Sequence, residues 1–180
     1  MPDQRAIDIT ELASLGEQFP IRLMQLGFRL MQMIDEAEHD QHRYVVPPVC
    51  NVPEGTFTMG SDKQKDSQAE VNEIPQYEIF VPSFQICTYP LTVAEYAYAV
   101  KAGAIEEPQT SGVITWEVQQ QRPDYPVVCV NWHEATIYAA WLAIMTGQQW
   151  RLPTEVFMSP ATAHPMKMAS PPSAHCHSRC

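Results

Sequence analysis

The clearest pattern of apolar and polar positions runs from Tyr125 to Glu155. Val127, Val128, Cys129 and Val130 form an apolar run between Pro126 and Asn131, which predicts a short strand covered on both faces. Asn131 can cap the next element, and Glu134, three residues on, can reach back to the cap's own N–H. Ile137, Tyr138, Trp141, Leu142, Ile144 and Met145 then recur at helical spacing, so one face of this helix is expected to be core. Gly147 falls where a left-handed residue would close it. The extended Arg151-Leu152-Pro153 that follows offers Thr154 as the cap of another helix.

Upstream, Thr92 and Glu95 form a second capping box, with Gly103 as the stop. Thr56 to Met59, Tyr77 to Val81 and Phe84 to Ile86 alternate as short strands. A polar loop follows Gly60, and residues 104–124 read as a Gln-rich connection anchored by Trp116. Near the N-terminus, Thr10 opens a short helical pattern and Pro20 is placed to begin a new helix. From there the polar residues Arg22, Gln25, Arg29, Gln32 and Glu36 fall three and four apart. That spacing predicts a mainly apolar helix over residues 21–36, wanting burial over more than half its circumference. Such a helix either packs on its own domain or serves a partner protein, helped by adaptable methionines.

Charge and cysteine usage narrow the classes. The formal charge of −10 provides no basic stripe for phosphates, which argues against nucleic acid. No apolar run is long enough to span a bilayer, and the first residues lack the basic start and apolar stretch of a secretory signal. The expected setting is cytoplasmic and bacterial. Five cysteines at irregular spacing do not suggest a disulfide framework; Cys50, Cys87 and Cys129 are expected to be buried reduced thiols.

Each candidate metal motif has a plainer reading. Glu36-x-x-His39, with His42 beyond it, is half of a carboxylate di-iron pattern without its matching half, and fits a solvated helix end. His133-Glu134 fails as a zinc-protease start because the second histidine is missing; Ile137 stands there. His175, Cys176, His177 and Cys180 are packed too tightly for a zinc finger. No catalytic, cofactor-binding or metal-binding residue is assigned.

Five blocks in order resemble the formylglycine-generating-enzyme family, also called the sulfatase-modifying factor domain. They are Pro53 to Ser61, Tyr89 to Tyr96, Arg122 to Val128, Asn131-Trp132, and Trp150 to Glu155. The resemblance implies an α+β fold, related to C-type lectins, with irregular loops. It also implies, for complete members, oxidation of a sulfatase cysteine to formylglycine by oxygen and copper, with calcium sites nearby. The two copper-binding cysteines and the calcium sites lie beyond the Leu-Pro-Thr-Glu block in such members, and no residue here matches them.

After Glu155 the family pattern stops. Phe157 stands where a glutamate would complete a capping box, Pro160 follows closely, and residues 156–180 contain no acid. A shift of coding frame near Glu155 would account for this. The expected organisation is therefore a helical extension over residues 1–46, the N-terminal part of the family domain over 47–155, and a non-family tail over 156–180. The expected function is that of a truncated family member, inactive alone and marginally stable. A non-catalytic binding module of the same fold comes second, and a relative of the iron-dependent sulfoxide synthases of the ergothioneine pathway third.

Overall fold

A computed structural model describes residues 3–14, 19–35 and 40–158 of the chain. The elements are β1 (Asp3–Ala6), α1 (Ile9–Ser14), α2 (Ile21–Gln25), β2 (Arg29–Asp35), β3 (Asp40–Val46), β4 (Val49–Val52), β5 (Gly55–Met59), β6 (Tyr77–Val81), β7 (Phe84–Cys87), α3 (Val93–Lys101), α4 (Trp116–Gln120) and α5 (Trp132–Thr146). The fold is α+β, with three small sheets among the described residues: β1-β2-β3, β4-β7 and β5-β6. The chain divides into two units, one of residues 1–51 with 85–152 and one of residues 52–84 with 153–180.

The helix expected over residues 21–36 is not formed. Only Ile21–Gln25 is helical, and Arg29–Asp35 is the central strand of an antiparallel sheet. The cause is local. Leu26 caps α2 and Gly27 follows with φ 94°. The Phe28 N–H then donates to the Leu23 carbonyl at 3.0 Å, and the Gly27 N–H to that of Met24 at 3.0 Å. This is the paired bonding of a Schellman stop, with buried Phe28 and Leu23 in one cluster supplying its apolar contact. Beyond it, β2 pairs Ala6 with Met31 on one side and Met31 with Tyr44 on the other. The apolar side chains of this stretch serve the unit's own interior: Leu23, Phe28, Leu30 and Met33 are all buried.

Two clusters make the interior of the first unit. One joins Tyr44 and Met33 of the sheet to Tyr96, Trp116, Tyr138, Trp141 and Leu142. The other joins Ile7, Leu12, Phe19, Leu23, Phe28, Leu30 and Val45 to Ala94. The first 46 residues thus supply a sheet and core side chains to this unit. A side-chain bond adds to this, since the Gln4 amide donates to the Met145 carbonyl at 2.8 Å. That carbonyl lies in the last turn of α5, where backbone acceptors lack helical partners.

In the second unit β5 and β6 pair from Gly55↔Val81 to Met59↔Tyr77. Gly60, with φ 83°, turns the chain where a Cβ would come within 2.8 Å of the Glu73 carbonyl, so no side chain fits. A 3-10 turn over Val71–Glu73, capped by Glu70, interrupts the polar loop. Thr154 does begin a helical turn, over residues 155–158, with Phe157 edge-on to Phe84 at 4.9 Å between ring centres.

Candidate functional site

The chemistry-bearing side chains of the first unit gather where α3 and α5 meet the segment from Pro123 to Val130. At the start of α3, the Thr92 hydroxyl donates to the Glu95 carboxylate at 2.6 Å, and the Thr92 N–H donates to the same oxygen at 2.7 Å. The Glu95 N–H donates back to the Thr92 hydroxyl at 3.3 Å. The Val93 and Ala94 N–H groups are taken by the carbonyls of Tyr125 and Pro123, both at 2.8 Å. Every donor that a helix start would offer an anion is thereby spent on the protein itself.

Glu95 is 1% exposed. Burial pushes its pKa up to about 7, against the opposing pull of its two bonds from Thr92. Around it lie aromatic rings: Tyr96 meets Trp116 edge-on at 5.8 Å and stacks with Tyr138 at 6.3 Å. Tyr138 is buried and its hydroxyl has no hydrogen-bond partner among the described residues; burial first, then the nearby Glu95 and Cys87, raise its pKa well above the phenol range. Tyr96 reaches the Glu106 carbonyl at 3.1 Å.

The start of α5 follows its expected form. The Asn131 side chain accepts from the N–H groups of His133 at 2.9 Å and Glu134 at 3.0 Å, and Glu134 accepts from the Asn131 N–H at 2.8 Å. Gly147 closes the helix with φ 68°. The strand expected over Val127–Val130 is absent. Cys129 takes φ 62°, which breaks an extended run and strains any residue with a Cβ. The backbone of Val128 is bonded instead by the Gln119 amide, which accepts its N–H at 2.9 Å and donates to its carbonyl at 3.2 Å. Val128 is exposed. Gln119 sits on α4, a helix the sequence reading missed; Thr115, which caps it, was the available signal.

Cys50, Cys87 and Cys129 are free thiols, as expected, but half-buried instead of fully buried. The Cys50 thiol donates to the Ile86 carbonyl at 3.5 Å. Burial, with Glu95 and Cys50 nearby, pushes Cys87 up to about 11, the opposite of an activated thiolate. His133 is exposed in the first turn of α5. His42 lies on β3 opposite Met33 and so does not end a helix. Glu36, His39 and the group from His175 to Cys180 lie outside the described residues. Among the described residues no three His, Cys, Asp or Glu side chains gather to hold a metal ion. No helix among them is long and apolar enough to cross a membrane.

One cleft, of about 300 Å³, opens beside α3. Phe19, Ala97, Tyr98 and Pro123 give it apolar walls, and Lys101 and Gln120 bring polar groups. The exposed ion pair of Arg22 with Asp124, at 3.1 Å, links the segments that bear Pro20 and Pro123.

Comparison with known proteins places this arrangement. The family model for the sulfatase-modifying factor enzyme 1-like domain, FGE-sulfatase, matches residues 35–165. Two curated relatives are named hercynine oxygenase. That of Mycolicibacterium smegmatis is 29% identical over 136 residues, covering 62% of this chain and 30% of its own. That of Mycolicibacterium thermoresistibile is 31% identical over 131 residues, covering 59% and 28%. The structure of PvdO from Pseudomonas aeruginosa superposes with a TM-score of 0.54 at 26% identity, covering 71% of this chain and 54% of that one. The chain thus spans less than a third of the curated relatives and about half of PvdO. With the family model matched across most of its length, the chain belongs to the FGE-sulfatase family, the sulfatase-modifying factor enzyme 1-like domains.

Proposed function

We propose that this chain supplies the scaffold portion of an oxygenase domain of the hercynine-oxygenase type, with the reacting groups carried outside the described residues. The observation that carries this reading is the match to two relatives that bear that name, over 62% and 59% of this chain. It moves the iron-dependent branch ahead of the formylglycine branch that the sequence motifs alone favoured. The polar side chains near the junction support it too. Thr92, Glu95, Gln119, Asn131 and Glu134 each bond backbone groups of their own unit. That is what a support for a preorganised site requires.

A segment exchange tests the reading. Residues 35–152 of this chain replace the matched segment of the Mycolicibacterium smegmatis hercynine oxygenase, and oxidation of hercynine is followed by mass spectrometry. A folded chimera should keep turnover, with a loss smaller than the roughly hundredfold that a misplacement of about 1 Å brings. A folded but inactive chimera contradicts the proposal. The cleft beside α3 favours a second reading, a non-catalytic binding module. A small molecule that protects the Tyr98 and Lys101 region from hydrogen exchange in the isolated chain would support it.

A further inference from the structure

We propose that the cleft beside α3 binds a small aromatic monocarboxylate, its ring against Phe19, Tyr98 and Pro123 and its carboxylate toward Lys101. The proposal rests on the binding-module reading above and names its ligand. Ala94, Ala97, Tyr98 and Lys101 fall three and four apart, so they share one face of α3. The other face is closed: Tyr96 and Ala99 are fully buried in the cluster that holds Trp116 and Tyr138. On the cleft side the two alanines leave a hollow where longer side chains would stand. Beside it the rings of Phe19 and Tyr98 are tilted by 50° with centres 6.3 Å apart, which offers a third ring both an edge and a face. Pro20 and Pro123 have no N–H, and that of Ala94 is bonded to the Pro123 carbonyl, so an apolar body strands none of these donors.

Size and charge set the class of ligand. A cavity of about 300 Å³ sits at the lower end of ligand pockets, which suits one ring with a short acid arm. Lys101 brings one ammonium to the lining, enough to pair one negative charge. A phosphoryl group is better served by clustered arginines or a helix start with open N–H groups, and here those of Val93 and Ala94 are spent on the Tyr125 and Pro123 carbonyls. The chain's formal charge of −10 also repels a dianion more than a monoanion.

The test titrates 3-phenylpropionate into the full chain, labelled with nitrogen-15, and follows its amide resonances, with the neutral 3-phenylpropionamide as the comparison. The acid should shift the amides of α3 saturably and bind about fivefold more tightly than the amide compound, the upper range for an exposed ion pair. Ala97→Leu, which fills the hollow, should weaken both ligands by about tenfold or more. Lys101→Met should remove the preference for the acid and leave the affinity for the amide compound unchanged. That residue is exposed, so this variant decides the matter should Ala97→Leu lose its fold. No saturable shift, equal affinity for the two ligands, a preference that survives Lys101→Met, or binding that a folded Ala97→Leu chain leaves intact overturns the proposal. If an uncharged or cationic compound protects the Tyr98 and Lys101 region while the acid does not, the ligand class falls and the binding-module reading stands. If no compound of any class protects it, both fall.

Discussion

Glu95 is buried at the start of α3 with a pKa near 7, so Glu95→Gln should change how stability depends on pH. A buried carboxyl whose pKa is raised on folding binds its proton more tightly in the native state than in the unfolded one. Stability from this group is therefore fully present below the unfolded value of 4.5, and is lost as pH rises from there through about 7. The gap between those two values corresponds to about 3 kcal/mol, of which about 2 to 3 kcal/mol falls between pH 5 and pH 8. Glutamine keeps an oxygen that can accept the Thr92 N–H, and it has no charge to desolvate. Urea melts of both proteins across that range isolate the effect, because the other carboxylates are common to the two. The variant should lie within about 1 kcal/mol of the parent at pH 5 and exceed it by about 2 kcal/mol at pH 8. Parallel pH profiles, or a variant that is weaker at pH 8, would refute the reasoning and show that the bonds from Thr92 outweigh burial.

Three further substitutions probe the same frame by thermal or urea melts. Tyr138→Phe removes a buried hydroxyl with no partner among the described residues and should stabilise the chain by about 1 to 2 kcal/mol; a loss would mean that the hydroxyl is bonded in solution. Cys129→Gly relieves a left-handed backbone at φ 62° and should gain about 0.5 to 1 kcal/mol after the entropy of glycine is counted. Gly27→Ala places a Cβ at φ 94° and should cost about 1 to 2 kcal/mol, with protection lost first in β2.

What the sequence disclosed and what it withheld divide by range. The caps at Thr92 and Asn131 and the stops at Gly103 and Gly147 were legible because each is settled within four residues by side-chain chemistry and backbone sterics. The stretch from Arg22 to Asp35 misled because its polar residues happen to fit a helical period, while Gly27 and pairing with β1 and β3 decide the outcome. A tighter reading of Leu26-Gly27-Phe28 as a helix stop would have placed the break. The run from Val127 to Val130 misled differently: the amide that takes over the Val128 backbone belongs to Gln119, on a helix that precedes it. The family blocks were readable, and the match over residues 35–165 establishes the family they suggested. The branch was not readable, because the caps and turns that make those blocks serve the shared scaffold.

Oxygen uptake by the purified chain alone, with hercynine, a thiol and iron(II), tests the central claim most directly. If this chain is the scaffold and the reacting groups lie outside it, uptake will not exceed that of iron(II) and thiol without protein. Uptake that depends on both hercynine and the folded chain would contradict the account.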